Sequence, residues 1–191
     1  MIASTKLIIG IGNIGPHFEG TRHNTGFTLV EALAAELSAD WTTKDKFKGL
    51  IAEQTKDDQK IILLKPTTYY NLSGEAARAV KDFYKIHNEN ILVIHDELAL
   101  PFGTVRARVG GSDAGNNGLK SIIAHVGADV ARVRVGIANQ QLATLGAADF
   151  VLAKFTHDEH QQWPAVQQQA LQLVNTFLDP IKKFEHTSVR V

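Results

Sequence analysis

Two uninterrupted apolar runs constrain this chain more than any other feature. Lys6-Leu7-Ile8-Ile9-Gly10-Ile11-Gly12 ends in glycine, and Ile91-Leu92-Val93-Ile94-His95-Asp96 ends in an acid. Neither alternates polar with apolar residues, so each reads as a strand covered on both faces. Strands of that kind need helices above and below their sheet. Phe27, Val30, Leu33, Ala34 and Leu37 recur at helical spacing, with Asn24 or Thr25 as the cap. Ala76, Ala77, Val80, Phe83 and Tyr84 mark a second helix, with Asn71 or Ser73 at its mouth. Phe47 to Gln54 and Lys60 to Lys65 read as strands joined by a polar turn, and Thr104 to Val109 as another. Arg132 to Ile137 alternates charged and apolar side chains, which predicts a strand with one polar face. Gly110 to Gly118 reads as a loop leading into a short helix from Leu119 to about Val126. Thr156-His157-Asp158-Glu159 matches a capping box that opens a Gln-rich helix reaching Phe177, which Pro164 either kinks or restarts. No repeat or linker divides the chain. The expectation is one α/β domain over residues 1–191 with helices on both faces of the sheet.

Composition narrows the function classes. Twenty basic and twenty acidic side chains give a formal net charge of zero, so any nucleic acid must be bound by a local patch. Between Phe102 and Gly136 five basic residues (Arg106, Arg108, Lys120, Arg132, Arg134) face two acids, Asp113 and Asp129. Arg106 and Arg108 are two apart on a strand and share one face. A solvated sheet edge has the same composition. With no cysteine in the chain, disulfides, thiol nucleophiles and zinc–thiolate sites are excluded. No apolar run approaches the ~20 residues of a membrane span. Met1 to Lys6 lacks a basic stretch followed by a cleavable apolar region. These features lead us to expect a soluble, cytoplasmic protein.

Several motifs invite chemistry. Gly10-Ile11-Gly12-Asn13-Ile14-Gly15 matches the dinucleotide pattern G-x-G-x-x-G after a strand. That pattern needs a helix to begin inside it, and Pro16, Gly20 and a helix delayed to about Asn24 oppose this. Gly110-Gly111-Ser112-Asp113-Ala114 is one residue short of a nucleophile elbow, and its helix also starts late. His157 and His160 have no third ligand and read as solvated. His23 stands apart because Thr21-Arg22-His23-Asn24-Thr25-Gly26 is a polar loop near the carboxyl end of the first strand, where open α/β sheets bind ligands. Asp96 ends the other buried strand and opens onto the same edge if the two run parallel. A carboxylate there can hold an imidazole in one tautomer; equally, it can be a turn acid. Asn13, Asn24, Asn71, Asn116 and Asn117 all follow strands or begin helices. They read either as caps or as the neutral lining of a cleft for an uncharged ester or amide.

Taken together, the motifs resemble those of the bacterial-type peptidyl-tRNA hydrolase family. The matching stretches are Gly10-Ile11-Gly12-Asn13-Ile14-Gly15, Thr21-Arg22-His23-Asn24, Lys65-Pro66-Thr67-Thr68-Tyr69-Tyr70-Asn71-Leu72-Ser73-Gly74, His95-Asp96-Glu97-Leu98 and Gly115-Asn116-Asn117-Gly118-Leu119-Lys120. The resemblance runs from Lys6 to about Phe155. It implies a monomer with a twisted mixed β-sheet flanked by helices, no metal or organic cofactor, and hydrolysis of the ester joining a peptide to the terminal ribose of tRNA. By the same resemblance His23 is the base, Asp96 its partner, Asn13 the peptide contact, and Asn71 and Asn117 the amides that position substrate or stabilise the transition state. Phe18 and Tyr69 match tRNA contacts; Tyr70, Arg106, Arg108, Lys120 and Arg134 are expected to line the cleft or the RNA path. The family commonly has methionine at Tyr70, histidine at Asn116 and proline at Ile14. Asn139 to Ala153 contains no basic residue, which argues against a basic lid over the RNA. A non-catalytic RNA-binding module and a serine esterase using Ser112 are the alternatives.

Overall fold

The computed structural model describes residues 4–191; Met1 to Ala3, part of the N-terminal stretch read above, lie outside the described residues. The strands are β1 (Ser4–Gly10), β2 (Thr42–Lys44), β3 (Gly49–Lys56), β4 (Gln59–Pro66), β5 (Ile91–Pro101), β6 (Thr104–Val109), β7 (Ala131–Ala138) and β8 (Thr187–Arg190). They form one sheet in the order β2-β3-β4-β1-β5-β7-β6-β8. β4, β1, β5 and β7 run parallel, and the outer strands pair antiparallel. The two apolar runs are therefore neighbours at the centre, with Gly10 opposite Ile94.

Both faces are covered, as a fully apolar strand requires. Ile8, Leu63, Leu92 and Ile94 pack beneath α1 (Thr25–Leu37) and α6 (His157–Leu178). Their neighbours Leu7, Ile9, Ile62 and Val93 point to the opposite face, under α2 (Ser73–Tyr84) and α3 (Asn117–Val126). Two short helices, α4 (Leu142–Leu145) and α5 (Ala147–Leu152), follow β7. The capping box at Thr156 and Glu159 is formed, and Pro164 sits inside a single continuous α6.

Three readings of the pattern change. Arg132 to Ile137 does not present a polar face: Arg132 is 2% exposed, and its guanidinium donates to the carbonyls of Ser112 (2.6 Å) and Gly111 (2.7 Å). The arginine thus ties the glycine-rich loop to the sheet. Burial, reinforced by Arg108 and Arg134, lowers its pKa from the ordinary arginine value. β2 and β8 are strands that the sequence pattern does not announce; both are short and mostly polar. Phe47 belongs to a 3-10 turn that precedes β3.

The glycines of the first loop serve helix packing. A Cβ on Gly26, at the start of α1, would lie 2.5 Å from the backbone of Ile11 and of Ile94, and one on Gly10 would overlap the Gly26 carbonyl. This close approach seats α1 directly over β1 and β5. Gly26→Ala should therefore destabilise by about 1–3 kcal/mol through overpacking, read from urea unfolding midpoints. The control Glu36→Ala, on the exposed side of α1, should stay within about 0.5 kcal/mol of the parent.

Candidate active site

The chain leaves β1 at Gly10 and makes a 3-10 turn (Pro16–Phe18), then a second (Arg22–Asn24) that carries His23 into α1. The helix start is fixed in an unusual way. Asn24 does not cap α1; its Oδ1 accepts from the Asn13 N–H (2.8 Å) and its Nδ2 donates to the Asn13 carbonyl (2.9 Å). One amide thereby holds the Asn13 backbone at both ends and leaves the Asn13 side chain free. The capping role expected of Asn24 is replaced by this clamp.

His23 meets Asp96 because β1 and β5 are parallel and β1 stops at Gly10, opposite Ile94. Asp96 does not end its strand as the sequence suggests: it lies within β5, which pairs on with β7 and runs to Pro101. His23 Nδ1 lies 2.9 Å from Asp96 Oδ2. A carboxylate accepts, so Nδ1 carries the proton and Nε2 is the free, basic nitrogen. Asp96 is 3% exposed, and its second oxygen accepts from the Tyr70 hydroxyl at 3.0 Å. The Tyr70 ring stacks on the imidazole, with centroids 3.7 Å apart and planes at 19°. Burial, and next the charge of Asp96, push the Tyr70 phenol well above its ordinary pKa, so it remains a donor. His95, next to Asp96, turns to the other sheet face, donates its Nδ1–H to the Asp96 carbonyl and takes no part in the pair.

A cavity of about 620 Å³ opens over these groups. Asn13, His23, Tyr69, Asn71, Asn117 and Asp96 all line it, so the structure brings together five separate stretches of sequence. Tyr69 stands at its rim, 81% exposed. Asn71 lies in the 3-10 turn before α2, and Asn117 is the first residue of α3. α5 closes one side with Ala147, Ala148 and Val151, an uncharged wall in keeping with the lack of basic residues in this segment. Asn116 is the N-cap of α3, its Oδ1 accepting from Leu119 N–H, while its Nδ2 donates to Tyr70 Oη at 2.8 Å. The family departures at Tyr70 and Asn116 are thus hydrogen-bonded partners.

Other expected residues fall elsewhere. Tyr70 forms part of the cavity wall but is only 7% exposed, and its hydroxyl is taken up by Asp96 and Asn116. Arg134 is largely buried and donates through Nε (3.1 Å) and Nη2 (3.0 Å) to Glu97 Oε2, leaving it little freedom to meet a phosphate. Arg106 and Arg108 do share a face, in a shallow groove with His186. Lys120 is exposed on α3, and Phe18 is half-buried in the first 3-10 turn. Ser112 sits in a loop before α3 with its carbonyl bound to Arg132, outside the cavity lining; the elbow geometry of an esterase is not formed. His157 pairs with Gln161 on α6, and His160 packs by Phe155.

Arg22 has a role that its local sequence does not signal. It is fully buried, ion-paired to Glu159 at 2.7 Å, and its guanidinium lies 4.4 Å from the Phe150 ring centroid. Its side chain and backbone also bond to the carbonyls of Lys154 and Ala153. Glu159 in turn caps α6 and accepts from Asn139 Nδ2. The residue beside His23 therefore anchors the whole 139–159 segment to the site. The two charge signs in Thr21-Arg22-His23 and in the capping box were visible, but no spacing connects them.

Fold and cavity together define an α/β enzyme of hydrolytic type, with a carboxylate-held imidazole set among neutral amides. A family model for peptidyl-tRNA hydrolase matches residues 7–189. The peptidyl-tRNA hydrolase of Gloeobacter violaceus is 42% identical over 174 residues, covering 91% of this chain and 87% of the relative. That of Clostridium botulinum (strain Alaska E43) is 46% identical over 158 residues, covering 81% and 80%. The crystal structure of peptidyl-tRNA hydrolase from Acinetobacter baumannii superposes with a TM-score of 0.83 at 34% identity, over 91% of this chain and 88% of that one. The chain belongs to the peptidyl-tRNA hydrolase family, hydrolases that act on an ester bond.

The Arg22–Glu159 pair generates a stability prediction. Glu159→Ala leaves a buried guanidinium without its counter-charge and should cost about 3–5 kcal/mol in chemical denaturation. Adding Arg22→Met should recover a large part of that loss. A single variant within about 1 kcal/mol of the parent would mean that the pair behaves as a solvated one.

Proposed function

We infer that this chain hydrolyses the ester between a peptide and the terminal ribose of tRNA, with His23 as the general base. The observation that carries the reading is the 2.9 Å pairing of His23 Nδ1 with buried Asp96, which leaves Nε2 for a water in the cavity. Nε2 takes a proton as the water oxygen attacks the ester carbonyl. The resulting oxyanion is met by the side-chain amides of Asn71 and Asn117, and the imidazolium then returns a proton to the departing ribose oxygen. Free peptide acid and tRNA are the products. A positioned base contributes ~10²–10⁴-fold, and one oxyanion donor ~10²–10³-fold.

Asn13, with its backbone clamped by Asn24, is the group we assign to the peptide, where it separates blocked from free aminoacyl esters. Tyr69 offers an exposed ring on which a terminal base can stack. Phe18 and Lys120 are assigned to the RNA path at the rim. Arg106 and Arg108 are the phosphate contacts, and Arg134 supports them while neutralising Glu97. The enzyme acts as a cytoplasmic monomer without a cofactor or a protein partner. No described helix is long and apolar enough to cross a membrane.

Release of tRNA from peptidyl-tRNA tests the assignment. His23→Ala should lose turnover by about 10²-fold or more while tRNA binding stays within a few-fold; Ser112→Ala should match wild type. Retained activity in His23→Ala would remove His23 from the role of base. Asn13→Ala should lose preference for peptidyl over unblocked aminoacyl esters more than it loses affinity for bare tRNA.

The double variant Arg106→Ala/Arg108→Ala tests the phosphate track. It should raise KM for full-length substrate at low salt and flatten the salt slope by about 0.7–0.9 per lost contact. A minimal substrate with only the peptidyl ester and terminal adenosine should be hardly affected. Equal damage to both substrates would make the patch structural.

A further inference from the structure

The hydroxyl of Tyr70 is buried beside the reacting pair, yet nothing in the mechanism above uses it. Its hydrogen-bond direction is fixed by its surroundings. Asn116 Oδ1 is occupied by the Leu119 N–H at the start of α3, so the amide face turned to Tyr70 is Nδ2, a donor. The phenol oxygen must accept there, and its one proton is left for Asp96 Oδ1 at 3.0 Å. The ring is held as firmly as the hydroxyl. It stacks on His23 on one side, and on the other a Cβ at Gly118 would sit 2.6 Å from Tyr70 Cε1, so α3 packs directly against it.

We propose that Tyr70 is a positioning residue for the hydrolysis: its hydroxyl fixes the rotation of the Asp96 carboxylate and draws charge from the oxygen that holds His23. This rests on the reading of His23 as the base. A carboxylate that accepts two hydrogen bonds stabilises an adjoining imidazolium less than one that accepts only from the imidazole. Removing the hydroxyl therefore leaves more of the Asp96 charge to the imidazole it holds. Among the described residues, the titratable groups around His23 in the cavity are Asp96 and Glu97 from β5 and Tyr69 and Tyr70 before α2. Glu97 is paired with Arg134, and Arg22 turns its guanidinium to Glu159, so Asp96 is the charge that His23 feels most directly.

Tyr70→Phe keeps the stacked ring and removes the hydroxyl. The acid limb of kcat/KM for peptidyl-tRNA should move to higher pH by about half a unit to one unit. The His23 Cε1–H resonance, followed by NMR in the free enzyme, should titrate higher by the same amount. On the alkaline plateau kcat should also fall, because the Asp96 carboxylate is no longer held in one rotation against His23. If Tyr70→Phe does not fold, Asn116→Ser supplies the test. A serine still caps α3 but no longer dictates where the phenol proton points, so the shift should have the same sign and a smaller size. A shifted His23 resonance with an unmoved rate profile would uphold the coupling and remove His23 from the role of base. A His23 titration within about 0.2 pH units of wild type in the folded variant would overturn the proposal whatever the rate does.

Discussion

A carboxylate buried to 3% exposure midway along β5, just past the point where β1 stops, organises the site. A lone buried charge of this kind is costly, and it persists only when its oxygens are supplied with donors. Asp96 receives two: the imidazole N–H of His23 on one oxygen and the phenol of Tyr70 on the other. Each donor is itself held in place, His23 by the turn that Arg22 anchors and Tyr70 by Asn116 at the mouth of α3. The requirement to satisfy one acid thus links β5, the first loop, the turn before α2 and the loop before α3. Those segments, together with α5, line the cavity.

The sheet makes this convergence possible. Parallel pairing of β1 with β5 ends at Gly10, opposite Ile94, so the loop after β1 falls beside Asp96, and the glycines at 10 and 26 let α1 start close against that point. A glycine-rich turn that resembles a phosphate-binding fingerprint is here a packing device. Within it, Asn13 lines the cavity with its backbone locked by Asn24. Arg132 performs a comparable task on the far side by fastening the loop that leads to Asn116 and Asn117.

Much of this was legible. Unbroken apolar runs identified the central strands, helical spacing identified α1 and α2, and the capping box marked the start of α6. His23, Asp96 and the asparagines stand out as polar residues beside buried elements, and the structure does gather His23, Asp96, Asn13, Asn71 and Asn117, although β5 runs on past Asp96 to Pro101. The failures have a common cause. Alternation shows that Arg132 and Val133 face opposite sides, but it cannot show that the polar side is roofed by loop carbonyls about twenty residues earlier. β8 carries no apolar pattern because its partner is the backbone of β6 at an edge. Arg22 and Glu159 are 137 residues apart, and neither has a local signature of pairing. Tyr70 reads from sequence as a cleft wall; the direction of its hydroxyl is set by Asn116, a residue 46 positions away.

His23 can act as base only if its proton sits on Nδ1, against Asp96. Long-range ¹H–¹⁵N correlation spectra of the neutral enzyme, with His23 assigned by comparison with the His23→Ala variant, read this directly. The expected result is a protonated Nδ1, donating to Asp96, and an unprotonated Nε2 open to the cavity. A neutral His23 that carries its proton on Nε2 would have no lone pair there to accept one from water, and would contradict its role as base.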